Sequence, residues 1–144
     1  MDYSGLAMEL LNKMRLLHKA KSQRCIDEAL QGEAFVLHYI MRHGDDVLPG
    51  EICDEMNVSS ARIAQTLNNI EKKGWITRQI SLNDRRKILV KLTQEGKNAA
   101  EKHNHDVVEI AAKMLYLLGE HDAKEYVRIT GKLAGIISDY KESL

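Results

Sequence analysis

The sequence predicts a mainly α-helical chain carrying one small β-hairpin, and three observations predict it. A single proline in 144 residues leaves few enforced helix breaks. Apolar residues recur three and four positions apart over most of the chain, the repeat of helices with one buried face. Only between residues 75 and 92 does the pattern shift toward alternation, in two short runs that read as strands. With 44% hydrophobic and 29% charged residues, the composition fits one globular domain.

Leu6, Leu10, Met14 and Leu17 give a first amphipathic helix from about Tyr3 into the low twenties. A second covers Gln31 to Arg42, with Phe35, Tyr39 and Ile40 apolar, and stops at Gly44 ahead of Asp45 and Asp46. Pro49 suits a helix first turn, where its missing N–H costs nothing, and Glu51 to Met56 makes a brief helix. Asn57-Val58 is the turn after it. Ser59 then reads as an N-cap, with Val58 and Ile63 placed to form a hydrophobic staple.

The helix that Ser59 opens runs to Lys73. Ile63, Leu67 and Ile70 form its inward stripe, which leaves Ser60, Ala61, Arg62, Gln65, Asn68, Asn69 and Lys72 outward. That outer face is polar but mostly uncharged, whereas a merely solubilising face is rich in Glu and Lys. Arg, Gln, Asn and Ser are the side chains that hydrogen-bond to base edges in the major groove. The helix pair is therefore a helix-turn-helix candidate, with Ser59 to Lys73 as the recognition helix.

Gly74 ends that helix, and the runs Trp75 to Ile80 and Lys87 to Leu92 are the two strands. The tip between them carries Arg85 and Arg86 and is followed by Lys87. A basic hairpin directly after a recognition helix is the layout of a winged helix, whose tip reaches the adjacent minor groove, where the negative potential suits arginine. Asp84 is expected to pair with Arg86 and fix its direction. Arg78 adds a further basic contact from the first strand. Charge follows the same segment. Net charge is zero, yet from Asn57 to Lys97 nine basic residues stand against three acidic ones. A local basic surface on a neutral chain meets a polyanion without binding it indiscriminately.

The stretch from Cys53 to Gly96 resembles the signature region of the multiple-antibiotic-resistance regulator (MarR) family. The similarity rests on Met56-Asn57-Val58-Ser59, then Leu67-x-x-Ile70-Glu71-x-x-Gly74-Trp75-Ile76, then the wing Asp84-Arg85-Arg86 followed by Leu92-Thr93-x-x-Gly96. The element order, two helices before the winged helix and two long ones after it, extends the resemblance over nearly the whole chain. It implies a homodimeric bacterial transcription regulator, more often a repressor than an activator, that leaves its operator when a small ligand, an oxidant or a metal binds.

The C-terminal part points to dimerisation independently. Thr93 caps a long helix with Ala100, His103, Val107, Ile110, Met114 and Leu117 along one side, ending near Gly119. From about Asp122 a last helix carries Tyr126, Ile129, Leu133, Ile136 and Tyr140, a heptad-like seam suited to another helix. The chain could fill that seam internally, or a second copy could fill it in a two-fold dimer reading a pseudo-palindromic operator. The expected organisation is an N-terminal dimerisation helix over 1–30, a winged helix-turn-helix over 31–97 and C-terminal dimerisation helices over 98–144.

The controlling signal is less legible. Met14, His38 and Tyr39 are candidate walls for a small-molecule inducer. Cys25 follows Lys21 and Arg24, whose charges favour a thiolate, and is the candidate for redox sensing. Cys53 falls where a small buried residue packs against the recognition helix. His103 and His105 point to different sides of a helix and form no i, i+4 chelate, although each has an acid at usable spacing, Asp106 and Glu109. The MarR family has a zinc-responsive branch, which Glu101-Lys102-His103 resembles loosely, but Ala34 stands where that branch offers histidine. No metal or cofactor is therefore expected.

No nucleophile elbow, phosphate loop or H-E-x-x-H run is present, so catalysis is not expected. Charged residues interrupt the apolar start of the chain, and no run approaches the ~20 apolar residues of a membrane span, which favours the cytoplasm. The alternative function is a winged helix that binds protein without binding an operator.

Overall fold

The computed structural model describes residues 1–44 and 46–140. Asp45, expected as part of a helix stop, lies outside the described residues, as do positions 141–144 of the expected C-terminal region. The elements run α1 (Tyr3–His18), α2 (Lys21–Gln31), α3 (Glu33–His43), α4 (Pro49–Met56), α5 (Ser60–Lys72), β1 (Ile76–Ile80), β2 (Ile88–Leu92), α6 (Gln94–Leu118) and α7 (Glu120–Asp139). The mainly helical class with one hairpin is what the sequence predicts, with one helix more than expected.

That extra helix is α2. The first helix, expected to reach the low twenties, ends at His18, and a separate helix occupies Lys21–Gln31. Nothing in the sequence punctuates the break. Neither glycine nor proline interrupts it, and Ala20 at the N-cap supplies no side-chain hydrogen bond. The following helix accordingly starts at Glu33 rather than Gln31, with Gly32 as its N-cap.

The chain divides into two compact units, Met1–Val107 and Val108–Leu144. In the first, one core joins Val36, Leu37 and Ile40 of α3, Val47, Ile52 of α4, Ile63, Leu67 and Ile70 of α5, Ile76 of β1, Val90 of β2 and Ala100 of α6. Phe35 and Tyr39, two of the apolar residues expected to mark the second helix, are only half-buried, because Val36, Leu37 and Ile40 take the inward face. β1 and β2 pair antiparallel from Ile76 opposite Leu92 to Ile80 opposite Ile88. Val47 adds a short third rung through the Val90 N–H donating to its carbonyl (2.9 Å).

Each unit carries an exposed apolar helical face. On α1, Leu6, Leu10, Met14 and Leu17 are all exposed. In the second unit, the expected α7 seam of Tyr126, Ile129, Leu133, Ile136 and Tyr140 is between 43% and 57% exposed. No described helix is long and apolar enough to cross a membrane.

Candidate nucleic-acid interface

The recognition helix is set by its start. Asn57 adopts a left-handed conformation (φ 52°), which reverses the chain after α4. Ser59 follows in extended conformation, and its hydroxyl accepts from the Arg62 N–H (3.2 Å), capping α5 as predicted. Val58 packs against the core that contains Ile63. With Ile63, Leu67 and Ile70 sealed inward, Ser60, Ala61, Arg62, Gln65, Asn68 and Lys72 are exposed, and Asn69 is half-buried. The Gln65 amide N–H donates to the Asn69 side-chain oxygen (3.2 Å), so these two neighbours orient each other along the outer face.

Arg78, expected as a DNA contact, has partners within the chain. Its Nε and Nη2 donate to the two oxygens of Glu71 (3.0 Å each), and Nη2 also reaches Asn68 Oδ1 (2.5 Å). The half-buried guanidinium thereby ties β1 to the outer face of α5 and holds Asn68 in one orientation. The hydrogen bond from Arg78, aided by its charge, holds the Glu71 carboxyl below its ordinary value and raises the arginine in turn. Spacing along the chain gives Glu71 no role. In the sequence it stands out only as a member of the family signature and as one of three acids in a basic stretch.

Asp84 is also corrected. Its carboxylate accepts from the Arg86 backbone N–H (3.0 Å), not from the guanidinium. Together with Ser81, whose hydroxyl accepts from the N–H groups of Asn83 (3.3 Å) and Asp84 (3.4 Å), it shapes the wing tip rather than aiming one side chain. The Ser81 N–H donates to the Lys87 carbonyl (2.9 Å) and closes the loop. Arg85, Arg86 and Lys87 are exposed and have no ion-pair partner among the described residues.

The far end of the recognition helix is tied at several points. Lys73 Nζ pairs with Glu33 at the start of α3 (2.5 Å) and lies 4.8 Å from the centre of the Trp75 ring. Gly74 takes a positive φ of 78° and turns the chain into β1. Thr93 then joins three elements. Its N–H donates to the Trp75 carbonyl (3.0 Å), its hydroxyl donates to the Gly74 carbonyl (2.6 Å) and accepts from the Gly96 N–H (3.0 Å). A Cβ on Gly96 would run into the Trp75 carbonyl, so only glycine lets α6 start this close. The Leu-Thr-x-x-Gly motif is therefore a joint between the recognition helix, the wing and α6, and not only the helix cap that its sequence suggests.

Of the expected inducer walls, one lines a cavity. His38 borders a space of about 30 Å³ with Ala34, Ala100, His103 and Asn104, room for a single water by volume. Its Nδ1 is buried without a hydrogen-bond partner among the described residues. Tyr39 stacks on His43 instead (centroids 4.0 Å apart), and Met14 lies on the open face of α1. Burial, then the charges of Glu51, Glu55 and Asp54, push the Tyr39 hydroxyl up. Cys25 and Cys53 are both half-buried free thiols, and Cys53 packs against the core as expected of a structural cysteine. Glu33 is engaged by Lys73, and no three His, Cys, Asp or Glu side chains converge on a metal-sized space among the described residues.

Comparison with known proteins agrees with this architecture. The family model described as the MarR family matches residues 30–87. The HTH-type transcriptional regulator YwhA of Bacillus subtilis (strain 168) is 30% identical over 140 residues, spanning 93% of this chain and 99% of its own. The HTH-type transcriptional repressor MdtR of the same organism is 28% identical over 137 residues, 89% of this chain and 88% of its own. Among solved structures, Streptococcus pneumoniae FabT in complex with DNA superposes with a TM-score of 0.68 at 23% identity, covering 96% of this chain and 99% of that one. On the length and identity of the match to YwhA, and on the family model over the helix-turn-helix and the wing as far as its tip, the chain belongs to the MarR family of transcriptional regulators.

Proposed function

We propose that this regulator binds a pseudo-palindromic operator as a homodimer, represses the gene downstream, and is released by a small ligand. The observation that carries the reading is how charge is committed between α5 and the wing. Glu71 is spent on Arg78 and Asp84 on the tip backbone, while Arg62, Lys72, Arg85, Arg86 and Lys87 are exposed without ion-pair partners among the described residues. Arg62, Gln65 and Asn68 are the base-reading candidates, with Ser59, Ser60, Ala61, Asn69 and Lys72 placing the helix against the duplex. Arg85, Arg86 and Lys87 supply the wing contact, positioned by Asp84, and Arg78 acts by holding Asn68 rather than by touching DNA.

The open apolar faces of α1 and α7 support a second copy as the dimer partner, with two recognition helices about one DNA turn, roughly 34 Å, apart. The relatives' names, one of them a repressor and one solved with DNA, agree with this direction. A regulator of chromosomal DNA in a bacterium works in the cytoplasm.

Fluorescence anisotropy on DNA from upstream of the gene tests the reading. Arg86→Ala lowers affinity on every sequence and makes the slope of log affinity against log salt shallower by about 0.9, the loss of one phosphate contact. Arg62→Ala and Gln65→Ala change which operator variant is preferred. Wild-type behaviour in all three variants refutes the assignment.

A further inference from the structure

The end of α1, helix α2 and the first turn of α5 enclose an open groove of about 300 Å³, lined by His18, Arg24, Asp27, Glu28, Gly32 and Arg62 among others. Its charges look balanced, two arginines against two carboxylates, but the hydrogen bonds divide them. Asp27 accepts from the Gln23 amide (3.1 Å) through one oxygen and faces His18 Nδ1 (3.2 Å) with the other. Glu28 accepts from the Glu33 N–H (3.2 Å), and its carboxylate folds over Gly32 into space that any Cβ there would need. Both acids are thus turned to partners of their own. Neither Arg24 nor Arg62 has an ion-pair partner among the described residues, and both are exposed. The groove therefore offers two free guanidinium forks beside the positive end of the α5 dipole.

That placement selects an occupant. In helix-turn-helix docking the first residues of the recognition helix enter the major groove, and the first helix of the motif, α4 here, crosses the sugar-phosphate backbone, so phosphates lie close to that end. Arg62 belongs to those first residues, and Arg24 shares its groove from a different helix. We propose that Arg24 grips a DNA phosphate beside the place where Arg62 enters the major groove, extending the interface beyond the recognition helix and the wing onto α2. The contact rests on the operator reading above. It carries no base information and acts as a register-setting clamp, since phosphate contacts position a protein while base edges specify it.

Arg24 is exposed, so its replacement leaves the fold intact, and the full chain is the reagent. Anisotropy is measured over a salt series on the upstream DNA and on an unrelated duplex of equal length. Arg24→Gln weakens binding to both by a similar factor and makes the salt slope shallower by about 0.9, while Arg24→Lys restores the slope. A wild-type slope in Arg24→Gln, beside a shallower one in Arg86→Ala, overturns the Arg24 contact and leaves operator binding standing. If the wild-type protein binds neither duplex, the operator reading falls and the clamp with it. A small anion is the competing occupant. Protection of wild type but not of Arg24→Gln against thermal unfolding by inorganic phosphate, together with an unchanged salt slope, assigns the groove to an effector and also overturns the clamp.

Discussion

Gly96→Ala separates local helix preference from the joint that Gly96 occupies. Gly96 lies in the first turn of α6, where alanine is the better helix former and, at a site with free space, raises stability by about 0.4–1 kcal/mol. The space is not free. The added Cβ collides with the carbonyl carbon and oxygen of Trp75, backbone atoms that cannot swing aside as a flexible side chain would. That carbonyl also accepts from the Thr93 N–H, and the Gly96 N–H is the donor that Thr93 Oγ1 accepts, so relief by displacement of α6 strains both bonds. Overpacking of this kind costs about 1–3 kcal/mol, and loss of a capping bond about 1 kcal/mol more. The net expectation is destabilisation by about 1–3 kcal/mol. At this chain length that lowers the melting temperature by roughly 3–10 °C. Gly50→Ala is the matched control. It also lies in a helix first turn, but nothing stands within 4 Å of the place its methyl group would take, and it is expected to gain about 0.4–1 kcal/mol. Urea unfolding and calorimetry at one fixed protein concentration read both variants. A Gly96→Ala protein as stable as Gly50→Ala would refute the joint.

Glu71 has its carboxyl depressed by Arg78, so its contribution to stability is present above its ordinary value of 4.5 and is lost as pH falls through the lower folded value. The stability gap between wild type and Glu71→Gln, followed by urea unfolding, is therefore constant near neutrality and closes on acidification. A gap that widens below pH 4.5 contradicts this sign. Ser59→Ala removes the cap acceptor of α5 and is expected to cost about 1 kcal/mol, whereas Ser59→Asp keeps it. Leu67→Ala, at a position 1% exposed in the core, is expected to cost about 2–5 kcal/mol by denaturant unfolding. Leu133→Asp on the open α7 seam is expected to move the sedimenting species from dimer toward the 16.4 kDa monomer, and an unchanged dimer would exclude that face from the interface.

Most of the winged helix is legible in the sequence because its signals are local. The Ser59 cap, the Ile63, Leu67 and Ile70 stripe, the Gly74 stop and both strands depend on neighbours a few residues apart, and each appears within one or two residues of its expected place. The break between α1 and α2 is not legible, because no special residue marks it and Ala20 contributes no cap. Side-chain partnerships across elements are the other gap. Arg78 meets Glu71 across the turn from helix to strand, and Thr93 meets Gly74 across the whole hairpin. Spacing along the chain carries no information on such pairs until the fold sets their distance. Asp84 shows the same limit at short range. Its proximity to Arg86 is readable, but the wing turn presents the backbone N–H rather than the guanidinium to its carboxylate.

Those partnerships explain how a chain of zero net charge presents a basic reading surface. Between Asn57 and Lys97 the sequence alone carries nine basic residues against three acidic ones. The fold decides which of those cations stay unpaired by giving the acids internal partners. Glu71 neutralises Arg78, the arginine whose task is to hold Asn68. Asp84 spends its carboxylate on the wing backbone, and Glu95 sits in the first turn of α6, where a negative charge favours the helix dipole. Asp27 and Glu28 repeat the device on α2 and leave Arg24, next to Arg62, without an ion-pair partner among the described residues. Local attraction to a polyanion thus coexists with an acidic remainder that resists indiscriminate association, and the placement of the engaged carboxylates decides which cations face solvent without an ion-pair partner among the described residues.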